Sequence, residues 1–280
     1  MEIDARLMER VVSHALEEDI GYGDITTNSI VPHDQQGRAI LHTKEPGVIA
    51  GLEVAEAAFR LIDPSLAITR HVQDGDHVAS DQVILEVHGS ARSILTAERT
   101  ALNFLQRLSG IATRTSKFVE SVRYYNAKIV DTRKTTPGLR ALEKYAVAVG
   151  GGRNHRFGLF DSVLIKVNHV EIAGGVKKAI MAARHQMPHT MRVEVEVDCL
   201  EQIDEALEVK ADIIMLDNMS PELMREAVEK VAGRALIEAS GGITEETIVD
   251  IAKTGVDFIS IGALTQSVKA LDISLDIEAK

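Results

Sequence analysis

Residues 191–218 read "MRVEVEVDCLEQIDEALEVKADIIMLDN", and the order of the parts decides the fold. "MRVEVEV" alternates apolar and charged residues, the period of an extended strand. Residues 200–209 change to helical spacing, and "DIIMLD" is a second short apolar run. Strand, helix and strand in succession make a βαβ unit, whose strands must pair in parallel. Outward from this unit the pattern repeats. "KIVD" and "DSVLIKV" precede it, and "ALIEAS" and "DFISIG" follow. Helices are expected near 138–149, 170–187, 200–209, 220–232 and 244–254. "SPEL" puts Ser220 at an N-cap and Pro221 at the first helical position. "TEET" at 244–247 has the outline of a helix start without the Glu or Gln of a full capping box. With no dinucleotide-type glycine fingerprint, the repeated units predict a closed or nearly closed βα barrel rather than an open doubly wound sheet.

The residues before the barrel read differently. "VIAGLEVAEAAFRLI" is a strand turning into a helix, and "TRHVQDGDHVASDQVILEVHG" has β character with an Asp74-Gly75 turn. A long amphipathic helix is expected over about 91–123, with Leu95, Leu102, Leu105, Leu108 and Ile111 on its apolar side. The expected organisation is an α+β sandwich domain over 1–108, joined by the tail 269–280, and an α/β barrel domain over 109–268.

Net charge narrows the function. The chain has 42 acidic against 31 basic residues, a balance of −11, which argues against broad nucleic-acid binding. No apolar run is long enough for a membrane span, and "MEIDARLMERVV" lacks the apolar core of a signal peptide. Cys199, the single cysteine, has no internal disulfide partner and no adjacent activating histidine. A cytoplasmic protein is expected. In such an acidic chain, clustered cations mark a local anion site.

The cations cluster at strand ends, the active-site face of a βα barrel. Asp131, Arg133 and Lys134 follow the first strand, and "GGRNHRFGLFD" adds Arg153, His155 and Arg156 to the same mouth. Lys166 and His169 end the second strand, Glu194 and Glu196 lie on the third, and Asp217-Asn218 end the fourth. "ASGGI" supplies Ser240, Gly241 and Gly242, and "SIGAL" supplies Gly262, glycine-rich ends suited to a phosphate. Strand alternation puts Val193, Val195 and Val197 on the helix-facing side, so Glu194 and Glu196 point into the barrel. By the same count Lys166, Glu196 and Asp217 converge from neighbouring strands. A buried ion-pair network and a substrate site both remain open for them, the deeper Glu194 being read as structural.

These motifs together resemble the quinolinate phosphoribosyltransferase family. "EDIGYGDITT" and "ERTALNFLQRLSGIAT" are similar to its N-terminal signatures. "DTRKTTPGLRALEKYAVAVGGGRNHRFGLFDSVLIKVNH", "VEVEVD", "MLDN", "EASGGI" and "SIGALTQS" are similar to its barrel motifs. The resemblance implies an incomplete, TIM-like βα barrel and a homodimer with shared active sites, with further assembly into hexamers left open. It implies decarboxylating phosphoribosyl transfer from phosphoribosyl pyrophosphate to quinolinate in NAD biosynthesis. Arg99 would enter the partner subunit's site. Arg133, Lys134, His155, Arg156, Lys166 and His169 would form the cationic pocket, with Lys134, Lys166, Glu196 and Asp217 as catalytic residues. Ser240, Gly241, Gly242 and Gly262 would hold the 5-phosphate. Magnesium would travel with the pyrophosphate, with no direct protein ligand and with Glu196 and Asp217 reaching it through water. No organic cofactor is expected.

Rival readings are a molybdenum-transport-associated paralogue, a nicotinate phosphoribosyltransferase, an aldolase with Lys166 as Schiff-base lysine, and a non-catalytic sugar-phosphate-binding barrel.

Overall fold

The structure, a computed structural model, describes residues 3–279. Met1, Glu2 and Lys280, which belong to the expected domain spans, lie outside the described residues. In chain order the elements begin with α1 (Ala5–Ile20), α2 (Ile25–Ile30), β1 (Gln36–Thr43), β2 (Gly47–Val48) and α3 (Leu52–Ile62). Next come β3 (Ala67–Arg70), β4 (His77–Val78), β5 (Val83–Ser90) and the long α4 (Ala91–Ser121). They continue with β6 (Lys128–Val130), α5 (Arg140–Val149), β7 (Val163–Ile165), α6 (Val167–Ala173) and α7 (Val176–Gln186). The chain then runs through β8 (Val193–Val197), α8 (Leu200–Glu208), β9 (Ile213–Asp217), α9 (Pro221–Val231) and β10 (Leu236–Ser240). It closes with α10 (Ile248–Ala252), β11 (Phe258–Ser260), α11 (Ala263–Gln266) and β12 (Ile273–Ala279).

Two compact units result. Among the described residues, one contains 3–116, 135–151 and 264–279, and the other 117–134 and 152–263. The first unit is built on an antiparallel sheet of order β12-β1-β5-β3. Its strands alternate: Ala39, Leu41, Leu85 and Val87 are buried on one face, while Arg38, Glu86 and His88 lie on the other. The chain's last strand, β12, pairs along β1 from Gly37–Ala279 to Thr43–Ile273.

The second unit has a six-stranded sheet, all parallel, in the order β6-β11-β10-β9-β8-β7. Sequential strands β7 to β11 are neighbours, and β6 returns beside β11, as a barrel requires. The ring does not close. Among the described residues, β6 meets only a single parallel bridge between Val130 and Arg153 on its free side, and β7 pairs only with β8. The barrel is therefore incomplete.

Local chemistry explains several helix boundaries. The Ser220 hydroxyl accepts the Leu223 N–H and Pro221 opens α9, as the sequence predicts. The single helix expected over 170–187 is instead two, α6 and α7, broken at Gly174 and Gly175. Both have positive φ, 77° and 129°, which a continuous helix does not allow. The helix expected from 244 begins only at Ile248, because "TEET" closes a turn of its own with the Thr247 hydroxyl accepting the Thr244 N–H. No helix among the described residues is long and apolar enough to cross a membrane.

Candidate functional site

Parallel register settles which side chains share a face. Glu194 aligns with Ile213 and Leu164, and Glu196 with Met215. Across β9, Met215 aligns with Glu238 and Asp217 with Ser240. Glu194, Glu196, Asp217, Glu238 and Ser240 thus lie on one face, the side opposite the fully buried Val193, Val195 and Val197. Every residue of β8 is buried, the glutamates included. The inward direction read from the valines is correct.

At the mouth, Lys166 follows the end of β7 and caps α6. Its ammonium donates to Glu196 Oε1 at 3.0 Å, while the Val167 N–H donates to Glu196 Oε2 at 3.3 Å. The pair is asymmetric: the Lys166 side chain is 48% exposed and that of Glu196 only 11%. Such a carboxylate is anchored from the protein side, while the lysine remains open to a ligand. His169 turns back on the same helix start, its Nδ1 accepting the Lys166 N–H at 2.9 Å.

A second constellation follows β6. Asp131 is fully buried and accepts from Asn154 Nδ2 at 2.7 Å and from the His155 N–H at 2.8 Å. It ties the 153–156 segment to the strand end, beside the reciprocal Asp131 N–H to Arg153 carbonyl bond. His155 Nδ1 accepts the Arg156 N–H at 2.7 Å. Its Nε2 lies 3.1 Å from Glu194 and 3.6 Å from Glu238, both at the barrel's centre. Burial, and next the charge of Glu194, push the Glu238 carboxyl up to about 7, opposed by His155 and the Ser260 hydroxyl.

Arg133 and Arg156 are both half-buried, and close enough for their charges to act on each other. Burial first and Arg133 second push Arg156 below the usual arginine range, against the pull of Glu194, Asp161 and Glu196. Holding two guanidinium groups together is costly. A bound anion would relieve that cost. Lys134 is exposed beyond them, its backbone N–H held by the Thr132 hydroxyl.

At the opposite side of the mouth, the Asp217 carboxylate accepts from Asn218 Nδ2, and the Asn218 N–H bonds the Ser240 carbonyl at 2.9 Å. Gly241 has φ +94°, and a Cβ there would fall 2.1 Å from Asn218 Oδ1. Only glycine permits that approach. Gly262 is half-buried just past β11. Arg133, Lys134, His155, Arg156, Lys166, His169, Glu196, Asp217, Ser240, Gly241, Gly242 and Gly262 all belong to the barrel unit. Arg99 belongs to the other unit, exposed on α4.

One residue of the site, Glu238, escaped the sequence reading, and the role of another, Asp131, was not legible in it. Glu238 was legible in principle, since "LIEAS" alternates like "VEVEV" and puts Glu238 on the face of Ser240. Asp131 was visible as a strand-end acid, but its two backbone and amide donors come from residues more than twenty positions away. His155, Glu194 and Glu238 also place three potential donor atoms within 4.8 Å of one another.

Known proteins resemble the chain along most of its length. Residues 24–109 match the family model described as quinolinate phosphoribosyl transferase, N-terminal domain, and residues 111–276 the C-terminal domain model. The chain is 44% identical over 270 residues to the probable nicotinate-nucleotide pyrophosphorylase [carboxylating] of Bacillus subtilis, covering 96% of this chain and 93% of that one. A similarly named Methanocaldococcus jannaschii protein is 45% identical over 277 residues, with 96% of each chain covered. The crystal structure of NadC from Streptococcus pyogenes superposes with a TM-score of 0.97 at 44% identity, covering 100% of this chain and 99% of that chain. The chain belongs to the quinolinate phosphoribosyltransferase family.

Proposed function

We propose that the chain catalyses decarboxylating phosphoribosyl transfer from phosphoribosyl pyrophosphate to quinolinate, giving nicotinate mononucleotide, pyrophosphate and carbon dioxide for NAD biosynthesis. The observation that carries this reading is the gathering of half-buried Arg133 and Arg156, close enough for their charges to act on each other, at the barrel mouth of a protein with net charge −11. A planar dicarboxylate suits two guanidinium groups, each able to bind a carboxylate with two donors. Both substrates are polyanions, so the cations at the mouth also concentrate them.

The quinolinate nitrogen attacks the sugar carbon as pyrophosphate leaves, and positive charge develops on the ribose ring. Glu196 or Asp217 stabilises that charge from below. Lys166 is held by Glu196 at 3.0 Å and, with Lys134, faces the anionic groups of the two substrates. Ser240, Gly241, Gly242 and Gly262 receive the 5-phosphate through backbone N–H groups, in the usual barrel position for a phosphate. After transfer, the ring nitrogen is positively charged beside the neighbouring carboxylate. The C–C bond breaks, its electron pair is stabilised by that nitrogen, and the ring carbon is then protonated. The substrate is its own electron sink, so no organic cofactor is needed. The acidic oxygens of Glu196 and Asp217 fit a hard cation reached through water, as the sequence reading expects. Magnesium carried in with the pyrophosphate would lower the charge of that leaving group.

The rest of this reading is a homodimer in which Arg99 of one subunit joins the quinolinate pocket of the other. Exposed Tyr22, Ile25 and Ile30 on the first unit, and Leu159 and Phe160 on the second, support a covered surface. The domain division is part of it, 1–108 with 269–280 against 109–268, supported by the β1–β12 pairing and the family-model boundaries. So is a cytoplasmic location.

The test is product analysis with quinolinate, phosphoribosyl pyrophosphate and Mg²⁺, nicotinate being run in parallel. Nicotinate mononucleotide and carbon dioxide from quinolinate alone are expected; turnover of nicotinate instead, or of neither, overturns the substrate assignment. Calorimetry on Arg133→Ala and Lys134→Ala should show weakened quinolinate binding, and unchanged affinity in both would remove them from the pocket.

A further inference from the structure

The trio of half-buried His155 and buried Glu194 and Glu238 has no part in the transfer chemistry above. Its hydrogen bonding is unusually constrained. His155 Nδ1 already accepts the Arg156 N–H at 2.7 Å, so that nitrogen has no proton and Nε2 must hold it. Nε2–H then points at Glu194 Oε2, 3.1 Å away, with Glu238 Oε1 at 3.6 Å. Glu194 and Glu238 are 2% and 3% exposed, and an oxygen of each has no hydrogen-bond partner among the described residues. Two such carboxylates side by side cannot both remain charged in a dry interior with one neutral imidazole between them.

The same constraint argues against a cation at these three ligands. A metal on Nε2 would move the imidazole proton to Nδ1, directly against the Arg156 N–H.

We infer that Glu238 is a positioning residue, held as the neutral acid beside Glu194, so that the pair locks His155 in the Nε2–H form and fixes the Arg156 backbone. The chain of contacts is continuous. Asp131 holds the His155 N–H, His155 Nδ1 holds the Arg156 N–H, and the Arg156 guanidinium donates to the Ser162 carbonyl at 3.3 Å. If Glu238 were lost, its acid O–H would no longer be available to Glu194, which would then depend on the imidazole alone, and this would favour a doubly protonated ring. A proton on Nδ1 would then expel the Arg156 N–H. The inference rests on the reading of Arg156 as part of the dicarboxylate pocket.

Glu238→Gln and Glu238→Ala separate this role from mere packing, the glutamine keeping the size and neutrality of the acid. The tautomer of His155 is read by ¹⁵N NMR, its signals identified by their loss in His155→Gln. Wild type and Glu238→Gln should show Nε2–H with an unprotonated Nδ1, and quinolinate KM should agree within about twofold. Glu238→Ala should show a protonated Nδ1 and a quinolinate KM raised about tenfold, with a smaller change in kcat. An unchanged tautomer in Glu238→Ala overturns the inference alone. A changed tautomer with unchanged KM overturns the placement of Arg156 in the pocket, and the positioning role with it. Should Glu238→Gln be as impaired as Glu238→Ala, or should wild type bind Mn²⁺ or Zn²⁺ stoichiometrically and Glu238→Gln lose it, a charged Glu238 is required and the inference fails.

Discussion

The two sheets of this protein use the same strand pattern to opposite ends. In β5, "ILEVH" buries Leu85 and Val87 and turns Glu86 and His88 outward, where Glu86 meets Arg38 at 3.0 Å, His71 at 3.1 Å and His88 at 3.3 Å. In β8, "VEVEV" buries the valines against helices and turns Glu194 and Glu196 inward. Period-two alternation says which residues share a face. It does not say whether that face meets water. An open antiparallel sheet covered on one side leaves its charges hydrated, whereas a barrel covered by helices encloses them. The enclosed charges then need partners, and the barrel supplies Lys166 for Glu196 and His155 for Glu194.

Substitutions in the two sheets should differ accordingly. The largest effect is expected for Lys166→Ala, which removes the open cation of the mouth and should lower kcat/KM by about 10²–10³-fold. Thermal unfolding should move less than turnover does, because the lysine side chain is 48% exposed and the Val167 N–H still holds Glu196; turnover near wild type would show that Lys166 only neutralises Glu196. Asp131→Ala comes next. It strands the Asn154 and His155 donors beside a fully buried position, and urea unfolding should show a loss of roughly 2–4 kcal/mol. A negligible loss would mean water replaces the carboxylate.

Glu238 gives a pH signature instead. Its carboxyl rises from 4.5 to about 7 on folding, with Glu194, His155, Asp131 and Ser260 as the groups facing it. Between those values the folded state binds more protons than the unfolded state, so stability falls as pH rises through that window. Glu238→Gln cannot titrate, and its stability should decline less from pH 4.5 to 7 in urea titrations. Parallel curves would show that Glu238 is ionised throughout. Glu86→Gln should matter least. Its carboxylate is held low mainly by the Arg38 hydrogen bond in a solvated setting, and whatever shift in unfolding midpoint appears should disappear in about 1 M salt. A large salt-resistant loss would erase the contrast between the sheets.

Much of the barrel was legible because strands and helices have distinct periods and because Ser220-Pro221 is a local cap. The break at Gly174-Gly175 was legible too, had the pair been read as positive-φ positions rather than passed over inside a helical stretch. Site residues at strand ends could be named because a βα barrel puts all strand termini on one side.

By itself the sequence determined the strand–helix order, the inward direction of Glu194 and Glu196, and the gathering of cations after the strands. Those follow from local geometry and from chain direction. Only the tertiary structure decided that the ring stays open beside Arg153, that Asp131 secures His155, and that Glu238 stands within reach of the same imidazole as Glu194. Each depends on distances between residues far apart in the chain, and on how much water reaches them. No periodicity encodes either.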